Sequence, residues 1–152
     1  MTLKFDKYQG AGNDFIILNN YEGLFSQLSE QQFREMCDRN RGIGADGIIL
    51  LEPSDIVDFE MKYYNSDGKL SSLCGNGARC VAYLLSENLN TKEIRIKTNN
   101  RLLNAKIVGD FQVELEMGKP LFDSKEIPLS KKIDPRNVVL NIDNQTFSEG
   151  FC

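Results

Sequence analysis

The chain has 152 residues, 41% of them hydrophobic and 26% charged, which is the composition of an ordinary globular domain large enough for one core. Its net charge of −4 and its scattered Lys and Arg argue against a nucleic-acid-binding surface, which would require a basic patch. The absence of histidine excludes His-based triads and His-ligated metal sites, so acid–base chemistry falls to Cys, Asp, Glu, Lys or Tyr.

The first part of the chain predicts two strands and a helix. Its N-terminus, MTLKFDKYQG, lacks the apolar core of a signal peptide, and no apolar run reaches membrane-spanning length. We therefore expect a cytosolic protein with no membrane partner. Residues 3–8 and 14–19 are typical of short strands around the glycine-containing loop QGAGN. Ser29 begins a helix, because Gln32 completes a capping box with it.

The middle of the chain predicts two more strands, a turn and a second helix. An apolar run near 47–52 follows a glycine hinge, and residues 58–65 alternate apolar and polar side chains as a half-buried strand does. The tripeptide SDG marks a turn, and the apolar positions of residues 76–87 fall on one helical face. The string GIGADG fits GxGxxG, but a helix precedes it and a strand follows, which argues against dinucleotide binding.

The last third carries only strand signals. KEIRIKT alternates apolar and charged residues, RLLNAKIV and FQVELEM flank a Gly-Asp turn, and NVVLNI and TFSEGF flank the turn DNQ. About eight to ten strands and two helices, with no linker, predict an α+β fold with mostly antiparallel pairing.

The segment NSDGKLSSLCGNGARC contains the candidate site. Cys74, Gly75, Asn76 and Gly77 lie at the predicted start of the second helix, where backbone N–H groups lack partners and the macrodipole is positive. Both features favour a thiolate at Cys74 and an incoming carboxylate or phosphate beside it. The two glycines would let a ligand approach the main chain closely. The sequence thus predicts a base next to an anion-binding nest.

Three asparagines stand where they could hold a substrate. Asn13 follows a glycine turn, Asn65 ends a predicted strand, and Asn76 lies beside Cys74. Each alone is more often a turn or capping residue than a ligand. Together near a thiolate they would suit a substrate with carboxylate and amino groups, because an amide both donates and accepts hydrogen bonds.

The other cysteines carry no comparable signal. None of the four belongs to a CxxC pair, which argues against a zinc site. We interpret Cys37 and Cys80 as small buried apolar residues, because that is the commoner role of a free cysteine.

Three segments, YQGAGNDF, CDRNRGIGADGIILL and FEMKYYNSDGKLSSLCGNGARC, closely resemble, in order, the N-terminal motifs of diaminopimelate epimerase. The resemblance implies one repeat of a two-domain fold, a mixed and mostly antiparallel sheet curved around a central helix. It also implies an epimerase that needs neither pyridoxal phosphate nor another cofactor and interconverts LL- and meso-diaminopimelate for lysine and cell-wall synthesis. In that family two cysteines flank the substrate α-carbon, and one removes a proton while the other donates one.

The same resemblance assigns roles to individual residues. Cys74 matches one of the two acid–base cysteines, and Asn13, Asn65, Gly75 and Asn76 match positions that hold the substrate. The family also suggests a homodimer.

Two features depart from the family pattern. Gly47 stands where some members carry a glutamine that aids binding, so that contact should be absent or supplied elsewhere. The second domain, which bears the other cysteine in an ACGTG-like motif, is not in this sequence, and Cys152 lies in the wrong context to replace it. We therefore expect residues 1–152 to be the N-terminal catalytic half-domain of a longer enzyme. We also expect the isolated chain not to epimerise diaminopimelate.

Other functions fit the same residues. The nearest alternatives are cofactor-independent racemases of the proline or hydroxyproline type and isomerases of the phenazine pathway. A non-catalytic module that binds amino-acid carboxylates is possible without any chemistry at Cys74. A structural domain in which Cys74 is buried and inert is the third alternative.

Overall fold

The computed structural model describes residues 3–99, 101–127, 134, 138–143 and 145–149, and the chain divides into two compact units, Met1–Met117 and Gly118–Cys152. Within the described residues there are ten strands and two helices, in agreement with the predicted α+β composition. In chain order they are β1 (Asp6–Gly10), β2 (Asn13–Asn19), α1 (Glu30–Cys37), β3 (Gly47–Glu52), β4 (Phe59–Asn65), β5 (Leu70–Ser71), α2 (Gly75–Leu89), β6 (Glu93–Lys97), β7 (Leu102–Gly109), β8 (Gln112–Leu115), β9 (Val138–Ile142) and β10 (Gln145–Glu149).

The first unit is built on one mixed sheet of eight strands. Its order is β1-β2-β3-β4-β6-β7-β8, and the short β5 pairs with β4 beside this path. The pairs β2–β3 and β4–β6 are parallel and the others antiparallel, so the predicted mostly antiparallel pairing is confirmed. Each parallel pair is separated in the chain by a helix, because parallel neighbours need a crossover connection.

The two helices cover opposite faces of this sheet. In β2, Phe15 and Ile17 belong to the core that surrounds α2, whereas Ile16 and Leu18 belong to the core that contains Phe33 of α1. Both faces of β2 and β3 are therefore buried, which explains why these strands are continuous apolar runs rather than alternating ones. Helix α2 contacts β1 at one edge of the sheet and β8 at the other, because the sheet curves around it as the resemblance implied.

The first hairpin is placed differently from the prediction. β1 covers Asp6–Gly10 rather than residues 3–8, and it pairs with β2 from Asp6↔Ile17 to Gly10↔Asn13. The connection is only Ala11-Gly12, and both residues have positive φ, 54° and 82°. This left-handed two-residue turn matches the twist of the paired strands, so pairing continues into residues that a glycine-rich loop was expected to occupy.

The start of α1 agrees with its predicted cap. Ser29 caps the helix, its hydroxyl accepts a hydrogen bond from Gln32 N at 3.3 Å, and Gln32 Oε1 accepts one from Ser29 N at 2.9 Å. The capping box is confirmed.

The second unit contains a two-stranded antiparallel hairpin of β9 and β10, with the register Gln145↔Ile142 to Glu149↔Val138. The predicted second hairpin is confirmed. Cys152 lies outside the described residues.

Candidate active site

Two predicted site residues, Asn13 and Asn65, lie at the same end of the central strands. The register pairs Phe15 of β2 with Gly47 of β3, and Gly47 with Asn65 of β4, so the starts of β2 and β3 lie beside the end of β4. Side chains alternate between faces along a strand, and Phe15 packs in the core around α2. Asn13 lies two residues before Phe15, so its side chain is directed to the face that α2 covers. Asn65 lies two residues after Tyr63 of the same core and is directed to that face as well.

Cys74 lies near the same end of the strands, at the tip of α2. The short strand β5 pairs with β4 through Tyr63↔Ser71, and three residues later Cys74 forms the N-cap of the helix. Its sulfur accepts a hydrogen bond from Gly77 N at 3.4 Å, which is a normal length for a sulfur acceptor. The residue is half-buried, at the rim of the core rather than inside it.

Two of the three predicted asparagines are in contact with Cys74 or with each other. The thiol of Cys74 donates to Asn13 Oδ1 across 3.7 Å, and Asn76 Nδ2 donates to the same oxygen at 3.3 Å. Asn76 Oδ1 in turn accepts a hydrogen bond from the guanidinium of Arg79. The sulfur therefore faces one donor, Gly77 N–H, and one acceptor, Asn13 Oδ1. Such an environment suits a group that must exist both as a thiolate and as a thiol.

Asn65 ends β4 near this cluster but is not hydrogen-bonded to it. Its backbone closes the turn after β4, accepting from Gly68 N and donating to Lys69 O, both at 2.9 Å. Its exposed side chain makes no hydrogen bond to Asn13, Cys74 or Asn76 in the part of the chain that the structure describes. Asn65 thus lies at the same end of the strands as this cluster, with its side chain exposed to solvent.

The first amides of α2 remain available. Among the described residues, the backbone N–H groups of Gly75 and Asn76 have no hydrogen-bond partner, whereas Gly77 N–H is bound by Cys74 Sγ. They stand beside the thiol at the positive end of the helix, where a carboxylate is favoured.

The two glycines of the helix tip have different roles. A Cβ on Gly77 would lie 2.8 Å from Ile49 Cδ1, so the missing side chain lets α2 pack on the sheet rather than admitting a ligand there. A Cβ on Gly75 would approach only the flexible ends of two side chains, Met117 at 3.3 Å and Arg79 at 4.0 Å. The predicted close approach of a ligand is therefore compatible with Gly75 alone.

Asp46 belongs to the site although sequence reasoning missed it. Its Oδ2 accepts hydrogen bonds from Asn13 Nδ2 at 3.0 Å and from Asp14 N at 3.1 Å. Arg39 binds the other oxygen of Asp46 at 2.9 Å and both oxygens of Asp14. The hydrogen bond from Asn13 lowers the pKa of Asp46, and the one from Arg39 lowers the pKa of Asp14. The sequence showed only an acidic residue just before a buried strand. Its contact with Asn13 could not be predicted without knowing that β2 pairs with β3.

Gly47 leaves no room for a side chain. A Cβ there would lie 2.5 Å from Tyr63 Cε2 and 2.6 Å from the carbonyl oxygen of Tyr64. The ring of Tyr63 occupies that space and packs edge-to-face against Phe15 with centroids 6.0 Å apart. Burial is the main reason that the pKa of the Tyr63 hydroxyl is raised to about 12, and the nearby Cys74 contributes in the same direction. A glutamine-like contact from position 47 is thus sterically prevented.

The other described cysteines do not resemble Cys74. Cys37 and Cys80 are each only 4% exposed, and burial raises the pKa of both thiols to about 11. Their interpretation as buried apolar residues is confirmed. Among the described residues, no group of three or more Cys, Asp or Glu side chains could hold a metal ion, and none of their helices is long and apolar enough to cross a membrane.

Comparison with solved structures identifies the fold. A crystal structure of methylitaconate-delta-isomerase matches with a TM-score of 0.58 and 15% identity, covering 97% of this chain and 83% of that one. A hydroxyproline epimerase from Agrobacterium vitis, with bound trans-4-OH-L-proline, matches with a TM-score of 0.53 and 16% identity, covering 73% and 40%. At these identities the likeness concerns the fold alone.

Comparison of sequences identifies the family. The chain is 41% identical over 142 residues to diaminopimelate epimerase of Pelagibacter ubique, which covers 93% of this chain and 51% of the relative. It is 45% identical over 114 residues to the enzyme of Chlorobaculum tepidum, covering 73% and 44%. The chain thus spans about half the length of the curated relatives that it matches. The family model for diaminopimelate epimerase matches residues 5–122, and the chain belongs to this family.

Proposed function

We propose that this chain supplies one of two acid–base cysteines in a cofactor-independent epimerase acting on the α-carbon of diaminopimelate. Cys74 is the proton-transferring residue, and Asn13, Asn65, Gly75 and Asn76 hold the substrate. The observation that carries the proposal is the setting of the Cys74 sulfur, between a donor at 3.4 Å and an acceptor at 3.7 Å beside two unpaired amides.

The unpaired amides supply what the reaction needs. Removing an α-proton places negative charge on the adjacent carboxylate, and donors already aimed at that charge lower the barrier. The N–H groups of Gly75 and Asn76 are such donors, at the positive end of a helix of 15 residues. A substrate carboxylate bound there would bring its α-carbon next to Cys74. Asn65 would contact the substrate from the end of β4, because its side chain faces the same side of the sheet.

The second acid–base group must come from elsewhere. Inversion requires one group on each side of the α-carbon, and Cys37 and Cys80 are enclosed in the two cores. We therefore propose that residues 1–152 act as a catalytic half-domain, with the opposing cysteine on a different segment. A thiol pair of this kind must stay reduced, which fits action in the cytoplasm. The family suggests that the reaction serves lysine and cell-wall precursor synthesis. The family further suggests a homodimer, which sedimentation would test.

The central test uses a complete enzyme carrying this sequence. We expect Cys74→Ala to abolish epimerisation of diaminopimelate, because inversion needs a group on each side of the α-carbon, while Cys80→Ala, six residues further along the same helix, keeps it. An active and folded Cys74→Ala variant would refute the role of Cys74. Assaying diaminopimelate beside proline and hydroxyproline would decide between the proposed substrate and the racemase alternative.

Two simpler measurements use the 152-residue chain itself. We expect it not to epimerise diaminopimelate at an enzyme-like rate, because inversion needs two acid–base groups and it offers one accessible thiol among the described residues. We also expect a neutral alkylating reagent to modify Cys74 well before Cys37 or Cys80, since only Cys74 lies at the rim of a core. Equal protection of all three thiols would favour a purely structural domain.

A further inference from the structure

The side-chain amide of Asn13 has two different ends, and the structure uses them differently. Its Nδ2 donates to Asp46 Oδ2 at 3.0 Å, while its Oδ1 accepts from Asn76 Nδ2 at 3.3 Å and from the Cys74 thiol across 3.7 Å. The oxygen of Asn13 therefore faces the sulfur, and the nitrogen faces away from it.

We propose that Asp46 is a positioning residue that fixes this orientation of Asn13 and thereby sets what Cys74 faces. A carboxylate can only accept hydrogen bonds. Rotating the Asn13 amide by half a turn would place oxygen against oxygen at Asp46 and NH₂ against NH₂ at Asn76. Asp46, at the nitrogen end of the amide, and Asn76, at its oxygen end, thus select the same one of two orientations that have nearly the same shape. The importance of this choice for catalysis rests on the proposed role of Cys74.

Asp46 is itself held in place from two sides. Its Oδ1 accepts from Arg39 at 2.9 Å, and its Oδ2 accepts from the backbone of Asp14 at 3.1 Å. The ion pair is open to solvent, with 58% of the Arg39 side chain and 43% of the Asp46 side chain exposed. Exposed ion pairs contribute little to stability. The geometric effect on Asn13 is therefore the stronger reason for this arrangement.

The orientation matters because it balances the two protonation states of Cys74. Gly77 N–H donates to the sulfur and favours the thiolate, whereas Asn13 Oδ1 accepts from the thiol and favours the protonated form. A residue that removes a proton in one direction and donates it in the other needs both contacts. If Asn13 turned its Nδ2 toward the sulfur, both contacts would favour the thiolate.

The variant Asp46→Asn should cause that rotation. Arg39 would attract the oxygen of the new amide, as it now attracts Asp46 Oδ1. This charge-assisted contact should outweigh the neutral one that Asp14 N now makes with Oδ2, so the new NH₂ would face Asn13. Asn13 would then present its oxygen to position 46 and its NH₂ to Cys74. The matched control is Asp14→Asn, because Asp14 also binds Arg39 and accepts from Asp46 N at 3.1 Å. In the described part of the chain, however, its carboxylate makes no hydrogen bond to the Asn13 side chain.

The experiment measures alkylation of each cysteine by iodoacetamide in the 152-residue chain, followed by mass spectrometry across neutral and mildly alkaline pH. We expect Asp46→Asn to raise the rate at Cys74 at least about threefold at neutral pH, because both hydrogen bonds at the sulfur would then be donated to it and stabilise the reactive thiolate. Asp14→Asn should leave that rate unchanged, and Cys37 and Cys80 should stay unreactive in both. A Cys74 rate unchanged in Asp46→Asn, or raised equally in Asp14→Asn, would overturn the proposal.

A second measurement uses the wild-type chain, so it does not depend on whether a variant folds. Asn13 Nδ2 and Asp14 N donate to the same oxygen, so nuclear Overhauser contacts should join the Asn13 NH₂ protons to the Asp14 amide proton. Contacts from those NH₂ protons to the Cys74 side chain instead would show the opposite orientation and refute the proposal. Neither readout uses substrate, so both are independent of whether Cys74→Ala abolishes epimerisation.

Discussion

The two helices of the first unit begin in contrasting ways. Helix α1 has an oxygen cap, Ser29, whose capping box with Gln32 is complete, and Glu30 in the first turn complements the helix dipole. Helix α2 has a sulfur cap, Cys74, and no acidic residue in its first turn. The start of α1 is optimised for helix stability, whereas the start of α2 leaves two amides unpaired among the described residues, where we propose that the substrate binds. Sulfur is a weak acceptor, so the cap of α2 contributes less to helix stability than the oxygen cap of α1.

The largest expected effect comes from giving α2 the cap that α1 has. Cys74→Ser should lower the epimerisation rate of a complete enzyme at least about 100-fold, because a serine hydroxyl does not ionise as a thiol does. The same change should raise the free energy of unfolding of the chain by up to about 1 kcal/mol, because Ser is a preferred N-cap residue. Activity assays and urea denaturation measure the two effects. Loss of both activity and stability would contradict the proposed contrast.

The next effect separates Cys74 from the buried cysteines through pH. The pKa of Cys37 and of Cys80 is raised by burial to about 11 in the folded chain, from an ordinary value of 9.0. Their contribution to stability is therefore complete below pH 9.0 and is lost as pH rises through about 11. We expect the free energy of unfolding to fall by on the order of 2 kcal/mol per cysteine across this range.

Urea denaturation at a series of alkaline pH values measures that decline. The control is a Cys37→Ala/Cys80→Ala double variant, which starts less stable but should lose less stability as pH rises. Parallel pH profiles for the variant and the wild-type chain would rule out the buried thiols as the cause.

A smaller loss is expected at the third residue of α2, which corresponds to Gln32 of α1. A Cβ from Gly77→Ala would lie 2.8 Å from Ile49 Cδ1 and 3.3 Å from Met61 Cε, both inside the core. Overpacking of about 1–3 kcal/mol should outweigh the gain of about 1 kcal/mol in helix propensity. The helix start would also shift, and alkylation of Cys74 should slow as its N–H contact weakens. Gly75→Ala is the control for stability, since its Cβ meets only the flexible ends of the Met117 and Arg79 side chains.

The smallest effect concerns α1 alone. Ser29→Ala removes the oxygen cap and should lower the free energy of unfolding by about 1 kcal/mol. Because α1 packs on the opposite face of the sheet from α2, the alkylation rate of Cys74 should not change. Urea denaturation and alkylation of the same variant provide both readings. A changed Cys74 rate would show that the two helix starts are coupled.

Local chemistry in the sequence determined much of this fold. The capping box of α1 was predictable because its two partners are three residues apart, and the hairpins of the last third because their strands are neighbours in the chain. The start of α2 was predicted within one residue, which placed Cys74 at its tip. By contrast, β5 was missed, because a strand of two residues carries no periodic signal.

Only the tertiary structure decided how the site is assembled. The contact of Asn13 with Asp46 joins residues 33 apart, and that of Asn13 with Asn76 joins residues 63 apart. The contact with Asp46 depends on the parallel register of β2 and β3. The contact with Asn76 depends on the pairing of β5 with β4, which positions the start of α2. The ring of Tyr63 fills the space that a side chain at position 47 would need, and this too depends on the pairing of β3 with β4. Sequence specifies short-range hydrogen bonds directly, whereas these long-range contacts follow from strand register, which burial of the whole sheet fixes collectively.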